Sequence, residues 1–198
     1  MSKGELTRAR ILDQALVLAS RLGLDGLTLG VLADSLELSK SGLYAHFRSK
    51  EALILAVLEH TKARHLEHAA PYLEGKAKGL EELRAYLSSW LDWIALPTLP
   101  AGCPILGASF ELEDLDGPAR DYVVGLAIAS RARLGSMLRS AIAKGELSTD
   151  TPIEQVLFEL RGVSLSFHFE YRLLRETSAR ERAENAFSHV LARYTTVS

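Results

Sequence analysis

The residues best suited to chemistry in this chain lie in the run Ser39-Lys40-Ser41-Gly42-Leu43-Tyr44, with His46 and Lys50 close behind. That chemistry is hydrogen bonding to a polyanion rather than bond breaking. Ser39, Ser41 and Gly42 are small, so a helix carrying them can sink close to base edges in a major groove. Lys40 can donate to guanine acceptors or to a phosphate. Tyr44, His46 and Lys50 are spaced to donate to backbone phosphates. Thr28 offers its hydroxyl as the N-cap of the preceding helix, whose exposed amide end suits another phosphate.

Such side chains need two short helices crossing steeply. Leu29 to Leu36 and Lys40 to His46 read as that pair, joined by a tight turn from Leu36 to Ser39, with Ser39 as the second N-cap. Val31, Leu32, Leu36, Leu38 and Leu43 supply apolar contacts between them, which is the layout of a helix-turn-helix. Phe47 reads as a core aromatic. A first helix from about Leu6 to Leu22 puts Leu12, Ala15, Leu16, Ala19 and Leu22 on one face, and Gly23 stops it. Ser49 caps a fourth helix that runs from Lys50 into the sixties, ended by Pro71 and the glycines at 75 and 79.

Further helices follow over about Leu80 to Leu96, Pro104 to Glu113 and Pro118 to Lys144. Capping boxes at Thr151-Pro152-Ile153-Glu154 and Ser178-Ala179-Arg180-Glu181 open two more, the first reaching about Glu176. No stretch alternates like a strand. The expected fold is all-α with about nine helices. It consists of a three-helix helix-turn-helix DNA-binding domain over residues 1–50 and a helical ligand-binding and dimerisation domain over 51–198.

The run Leu43-Tyr44-Ala45-His46-Phe47-Arg48-Ser49-Lys50-Glu51-Ala52-Leu53 resembles the signature of the tetracycline-repressor (TetR) family. Leu27, Thr28 and Ala33 also sit where that family places them, and the resemblance spans roughly residues 6–55. It implies an all-helical homodimer and DNA contacts from Thr28, Lys40, Ser41, Gly42, Leu43, Tyr44, His46 and Lys50. It also implies a ligand cavity among helices four to eight, and repression of an operator relieved by ligand. Two positions depart from the pattern. Glu37 stands in the turn where the family often has glycine, and a glutamate is less comfortable at positive φ. Gly42 stands where many relatives carry threonine or another base-reading side chain.

Composition agrees with a folded regulator. Apolar residues make up 47% of the 198 and charged residues 24%, with a net charge of −2. Residues 1–65 carry nine Lys/Arg against seven Asp/Glu, and the remainder 14 against 18, so the front end is the part suited to a polyanion. No apolar run is long enough to cross a bilayer, and the start lacks the apolar stretch of a signal peptide, so a cytoplasmic location without a membrane partner is expected. Cys103 stands alone, with no local cation to activate it, and reads as a small buried side chain.

The expected dimer interface comprises Leu157, Leu165, Phe169 and Leu173 on the eighth helix and Ala183, Phe187, Val190 and Tyr194 on the ninth. Two copies would form a four-helix bundle, setting the recognition helices about 34–36 Å apart. The alternative is that these helices pack within the monomer. Trp90, Trp93, Phe110, Tyr122, Phe158, Phe167 and His168 are candidates to line a cavity for a small-molecule effector, apolar or aromatic; ordinary core is the alternative for each. Ligand in the C-terminal core is expected to shift the fourth helix and, with it, the reading head. The acidic run from Glu111 to Asp116 reads as a solvated face, and His60, His65 and His68 lack a carboxylate or cysteine to complete a metal site. No phosphate loop, nucleophile elbow or zincin motif is present, so neither an enzyme nor a cofactor is expected. The rival reading is a helical ligand-binding or adaptor protein that no longer binds DNA.

Overall fold

The computed structural model describes residues 3–196. Among them nine α-helices follow one another without a strand: α1 Lys3–Gly26, α2 Leu29–Ser35, α3 Lys40–Tyr44, α4 Lys50–Leu73, α5 Leu80–Ile94, α6 Pro104–Glu111, α7 Pro118–Ala143, α8 Ile153–His168 and α9 Ala179–Ala192. A π-helical turn, Phe169–Leu174, continues α8.

By packing, the chain divides into two compact units, each built from two stretches. One is Met1–Leu66 with Leu96–Leu126; the other is Glu67–Ala95 with Ala127–Ser198. The helices α4 and α7 contribute residues to both.

In the first unit, Ile11, Ala15 and Ala19 of α1 meet Leu32 of α2, Leu43 of α3 and Phe47, with Leu53 and Val57 of α4 and Ala108 of α6. Leu16 is buried as the helical spacing predicts, but Leu22 is exposed, because Leu24 and Leu27 take the inward positions once Gly23 breaks the helix. Val31 and Leu38 are likewise exposed; Leu29, Leu32 and Ala33 already fill the narrow inner face of a seven-residue helix.

The second unit has its own core, in which Leu83, Leu87 and Leu91 of α5 pack with Leu138 and Ala141 of α7, Val156, Leu157 and Leu160 of α8 and Phe187 and Leu191 of α9. Pro71 does not end α4, which runs on to Leu73. Proline costs the helix one N–H donor, but buried Ala69 and the Tyr72 hydroxyl, which donates to Asp92 Oδ2 at 2.7 Å, hold the last turn in place. Neither expected capping box forms. Thr151 Oγ1 donates to the Ser148 carbonyl at 2.6 Å, and Pro152 takes the N-cap position of α8 without a side-chain bond. Ser178 has helical backbone angles (φ −85°, ψ −1°) rather than the extended ones that let a cap hydroxyl reach forward, and makes no cap bond. The α-helical part of α8 stops at His168, and the π-helical turn carries the segment on to Leu174, close to the expected end near Glu176. Within that turn, Arg172 Nε donates to the Ile94 carbonyl at 2.8 Å, capping the C-terminus of α5 with a cation.

Candidate nucleic-acid interface

Local hydrogen bonds build the reading head. Thr28 is extended (φ −121°, ψ 159°), and its hydroxyl accepts from Val31 N at 3.1 Å, starting α2. Ser39, also extended, accepts from Gly42 N at 3.1 Å and starts α3. Ser49 accepts from Ala52 N at 3.1 Å and starts α4. Between α2 and α3, Glu37 takes the left-handed conformation (φ 54°), so the turn keeps the geometry that glycine would favour. Leu38 N then donates back to the Ala33 carbonyl at 3.0 Å, closing the turn.

On α3 the buried and exposed faces separate cleanly. Leu43 is fully buried, and so is Phe47 just beyond; both anchor the helix to the first unit's core. Ser39, Lys40, Ser41, Gly42 and Tyr44 are exposed. The Ser39 and Ser41 hydroxyls lie 3.2 Å apart, and Lys40 extends towards the start of α2, where a Cβ on Gly30 would lie 3.9 Å from Lys40 Cε. A Cβ at Gly42 would approach Ser39 Oγ to 3.2 Å, so the glycine lets the cap hydroxyl sit close.

His46 is half-buried, and its carbonyl accepts from Arg8 Nη1 at 3.4 Å. The Arg8 guanidinium lies 4.6 Å from the centre of the Phe47 ring. Arg8 thus adds a cation beside the end of α3 that no local motif signalled. Lys50 Nζ is held by Asp25: it donates to the carbonyl at 2.7 Å and to Oδ1 at 3.0 Å.

The expected pocket residues fall in both units. Phe110 and Tyr122 belong to the first unit, Phe110 exposed and Tyr122 half-buried, whereas Trp90, Trp93, Phe158, Phe167 and His168 belong to the second. There Phe158 is 72% exposed. Phe167 is core, stacked on Tyr171 at 5.3 Å, and Trp93 is buried beside the His68 ring at 5.6 Å. His168 is half-buried, and burial first, then the nearby Arg172 charge, lowers its pKa from the ordinary imidazole value.

The expected dimer residues also divide. Leu157, Ala183, Phe187 and Val190 are buried in their own unit's core, and Tyr194 packs against it. Leu165 is half-buried, while Phe169 and Leu173 are 51% and 67% exposed. Between α8 and α9 runs a groove of about 470 Å³ with Gly162, Ala183 and Ala186 among its walls.

Of the α4 histidines, His60 and His68 have different neighbours. His60 Nε2 lies 2.8 Å from Asp13 Oδ1 in the first unit, and His68 lies in the second against Tyr72 and Trp93. Cys103 is half-buried rather than buried, at the N-cap of α6. Glu111 is not merely solvated: Oε2 accepts from the backbone N–H groups of Leu24 and Asp25.

Two capped short helices, with one face anchored and the other presenting small polar groups, define a helix-turn-helix regulator. The family model described as bacterial regulatory proteins, tetR family, matches residues 11–57, and that of the tetracyclin repressor-like C-terminal domain matches residues 79–187. The chain belongs to the TetR family. It is 38% identical over 66 residues to the class D tetracycline repressor protein of Escherichia coli, a match covering 33% of this chain and 30% of that one. The whole chain superposes on a TetR transcriptional regulator from Chloroflexus aurantiacus J-10-fl with a TM-score of 0.90, at 25% identity and 100% coverage of both chains. It also matches AibR, solved in complex with isovaleryl coenzyme A and operator DNA, with a TM-score of 0.74 at 19% identity, covering 93% of this chain and 98% of that one.

Proposed function

We propose that this chain is a transcriptional repressor that binds a palindromic operator as a homodimer and is released by a small-molecule effector. The observation that carries the reading is the division of α3. Leu43 and Phe47 lock one side into the core, leaving Ser39, Lys40, Ser41 and Gly42 exposed for base edges and Tyr44 for a phosphate. Thr28, His46 and Lys50 flank that face as further backbone contacts. Leu43 contributes by holding the helix rather than by touching a base. The operator complex of AibR lends support by analogy of fold.

An apolar stripe on α8 and the turn that continues it supports two-fold association. Exposed Phe158 and half-buried Leu165 on α8, with exposed Phe169 and Leu173 on the π-helical turn that continues it, are spaced as one side of a helix, beside the groove against α9. A surface of three or four large apolar side chains gains by meeting its own copy. For the effector, Trp90, Trp93, Phe167 and His168 of the second unit remain the proposed environment, and an apolar or aromatic molecule suits them. His68 Nε2 and His168 Nδ1 are buried without a hydrogen-bond partner, a cost of about 1–3 kcal/mol each that a ligand donor or acceptor removes. No described helix is long and apolar enough to cross a membrane, and we place the protein in the cytoplasm with its DNA.

Selection from a random duplex library by the purified protein tests the reading. A two-fold symmetric site, with affinity falling steeply as salt rises, is the expected result. Retention of no duplex at low salt refutes it.

A further inference from the structure

We propose that Glu111 on α6 is a positioning residue for DNA binding: it clamps the broken end of α1 and, through Asp25, fixes the Lys50 ammonium. The proposal rests on the DNA-binding reading above and adds a route by which α6 reaches the contact face. Gly23 (φ 72°, ψ 178°) interrupts α1, and the N–H groups of Leu24 and Asp25 that follow turn to Glu111 Oε2, at 2.8 and 3.2 Å. The fit is close. A Cβ on Gly23 would lie 2.7 Å from Glu111 Oε1 and 2.9 Å from Oε2, so glycine serves both the left-handed φ and the seat for the carboxylate.

The next link leads to the contact face. Asp25, held by its N–H, accepts from Lys50 Nζ through its carbonyl at 2.7 Å and through Oδ1 at 3.0 Å. An ammonium has three donors, so one remains for a phosphate oxygen. Anchoring the other two removes rotamer freedom that a four-carbon stem would otherwise lose on binding DNA.

A further pair of bonds ties the same helix to the segment leading into α6. Buried Ser20 donates to the Gly102 carbonyl at 2.8 Å and accepts from Ala101 N at 3.0 Å. Only the Glu111 link continues to Lys50. Glu111 lies within the C-terminal family match and Lys50 within the N-terminal one. A displacement of α6 against α1 is therefore transmitted to a phosphate-contacting lysine by a short series of hydrogen bonds, all inside the first unit.

A double-mutant cycle tests this with Glu111→Ala, Lys50→Met and the pair, using the duplex that the wild-type protein enriches from a random library. Glu111→Ala is expected to weaken binding about three- to tenfold in the wild-type background and by less than about 1.5-fold beside Lys50→Met. Glu111→Gln, whose amide oxygen still accepts, falls between and serves if the alanine variant folds poorly. In the free protein, Glu111→Ala speeds amide exchange at Leu24 and Asp25 and broadens the Lys50 ammonium signal in ¹⁵N NMR. An equal loss in both backgrounds, or no loss, overturns the proposal, as does an unchanged ammonium signal. If the wild type enriches no duplex, the DNA-binding reading falls and takes the link to DNA with it; the exchange and ammonium readouts then report the clamp separately.

Discussion

Replacing Phe158 with serine should separate the proposed dimer into monomers. The side chain is 72% exposed on α8, and a phenylalanine carries roughly 150–200 Å² of apolar surface. About 110–140 Å² per protomer is therefore available for burial, worth about 3 kcal/mol at 25 cal/mol per Å². A two-fold interface uses the residue twice, giving about 6 kcal/mol as an upper bound. Side-chain ordering and imperfect packing reduce what association realises, so about 3 kcal/mol, near 100-fold in dimer Kd, is the working expectation. Because the side chain is not part of the monomer core, thermal stability of the dissociated subunit should be preserved. Sedimentation equilibrium across a concentration series reads the Kd directly. A variant that remains dimeric with wild-type Kd would show that this face of α8 is not the interface, whatever the DNA affinity.

Tyr44→Ala should weaken binding to every duplex alike by about 1–3 kcal/mol, because a phosphate contact carries no sequence preference; wild-type affinity in a mobility-shift assay would remove Tyr44 from the interface. Glu37→Gly should stabilise the fold by about 0.5–1 kcal/mol, since it relieves a left-handed backbone at φ 54° and loses part of the gain to unfolded-chain entropy. Urea unfolding checks this, and a loss of stability would mean that the turn stores no strain. His168 has its folded pKa depressed below the ordinary 6.5 by burial and by Arg172. The unfolded chain therefore binds the proton first as pH falls, so the stability conferred by the neutral ring is present above the ordinary value and is lost below it. Melting followed from about pH 7 to about pH 5 should decline more steeply for the wild type than for His168→Gln. Parallel profiles would show that His168 does not govern that range.

The head was readable from the chain because its determinants are local. Thr28, Ser39 and Ser49 each follow a turn and adopt cap bonds to the third residue on, and the spacing of Leu43 and Phe47 places both inward. The same pattern failed at Thr151 and Ser178. A cap residue must have extended backbone, and at Ser178 the incoming chain imposes helical angles.

Apolar residues in the body were legible as helix faces, but not which neighbour each face would meet. Leu157, Phe187 and Val190 go to their own unit's core, while Phe158, one residue from Leu157, is left outside. Sequence by itself therefore determined the helices, the reading head and the family. Tertiary structure alone decided the partners of Glu111, Arg172 and Lys50, residues 25 to 87 positions from the groups they bind. Helical periodicity specifies which way a side chain points on its own element, but a polar contact between elements depends on where the folded backbone brings a distant carbonyl or N–H.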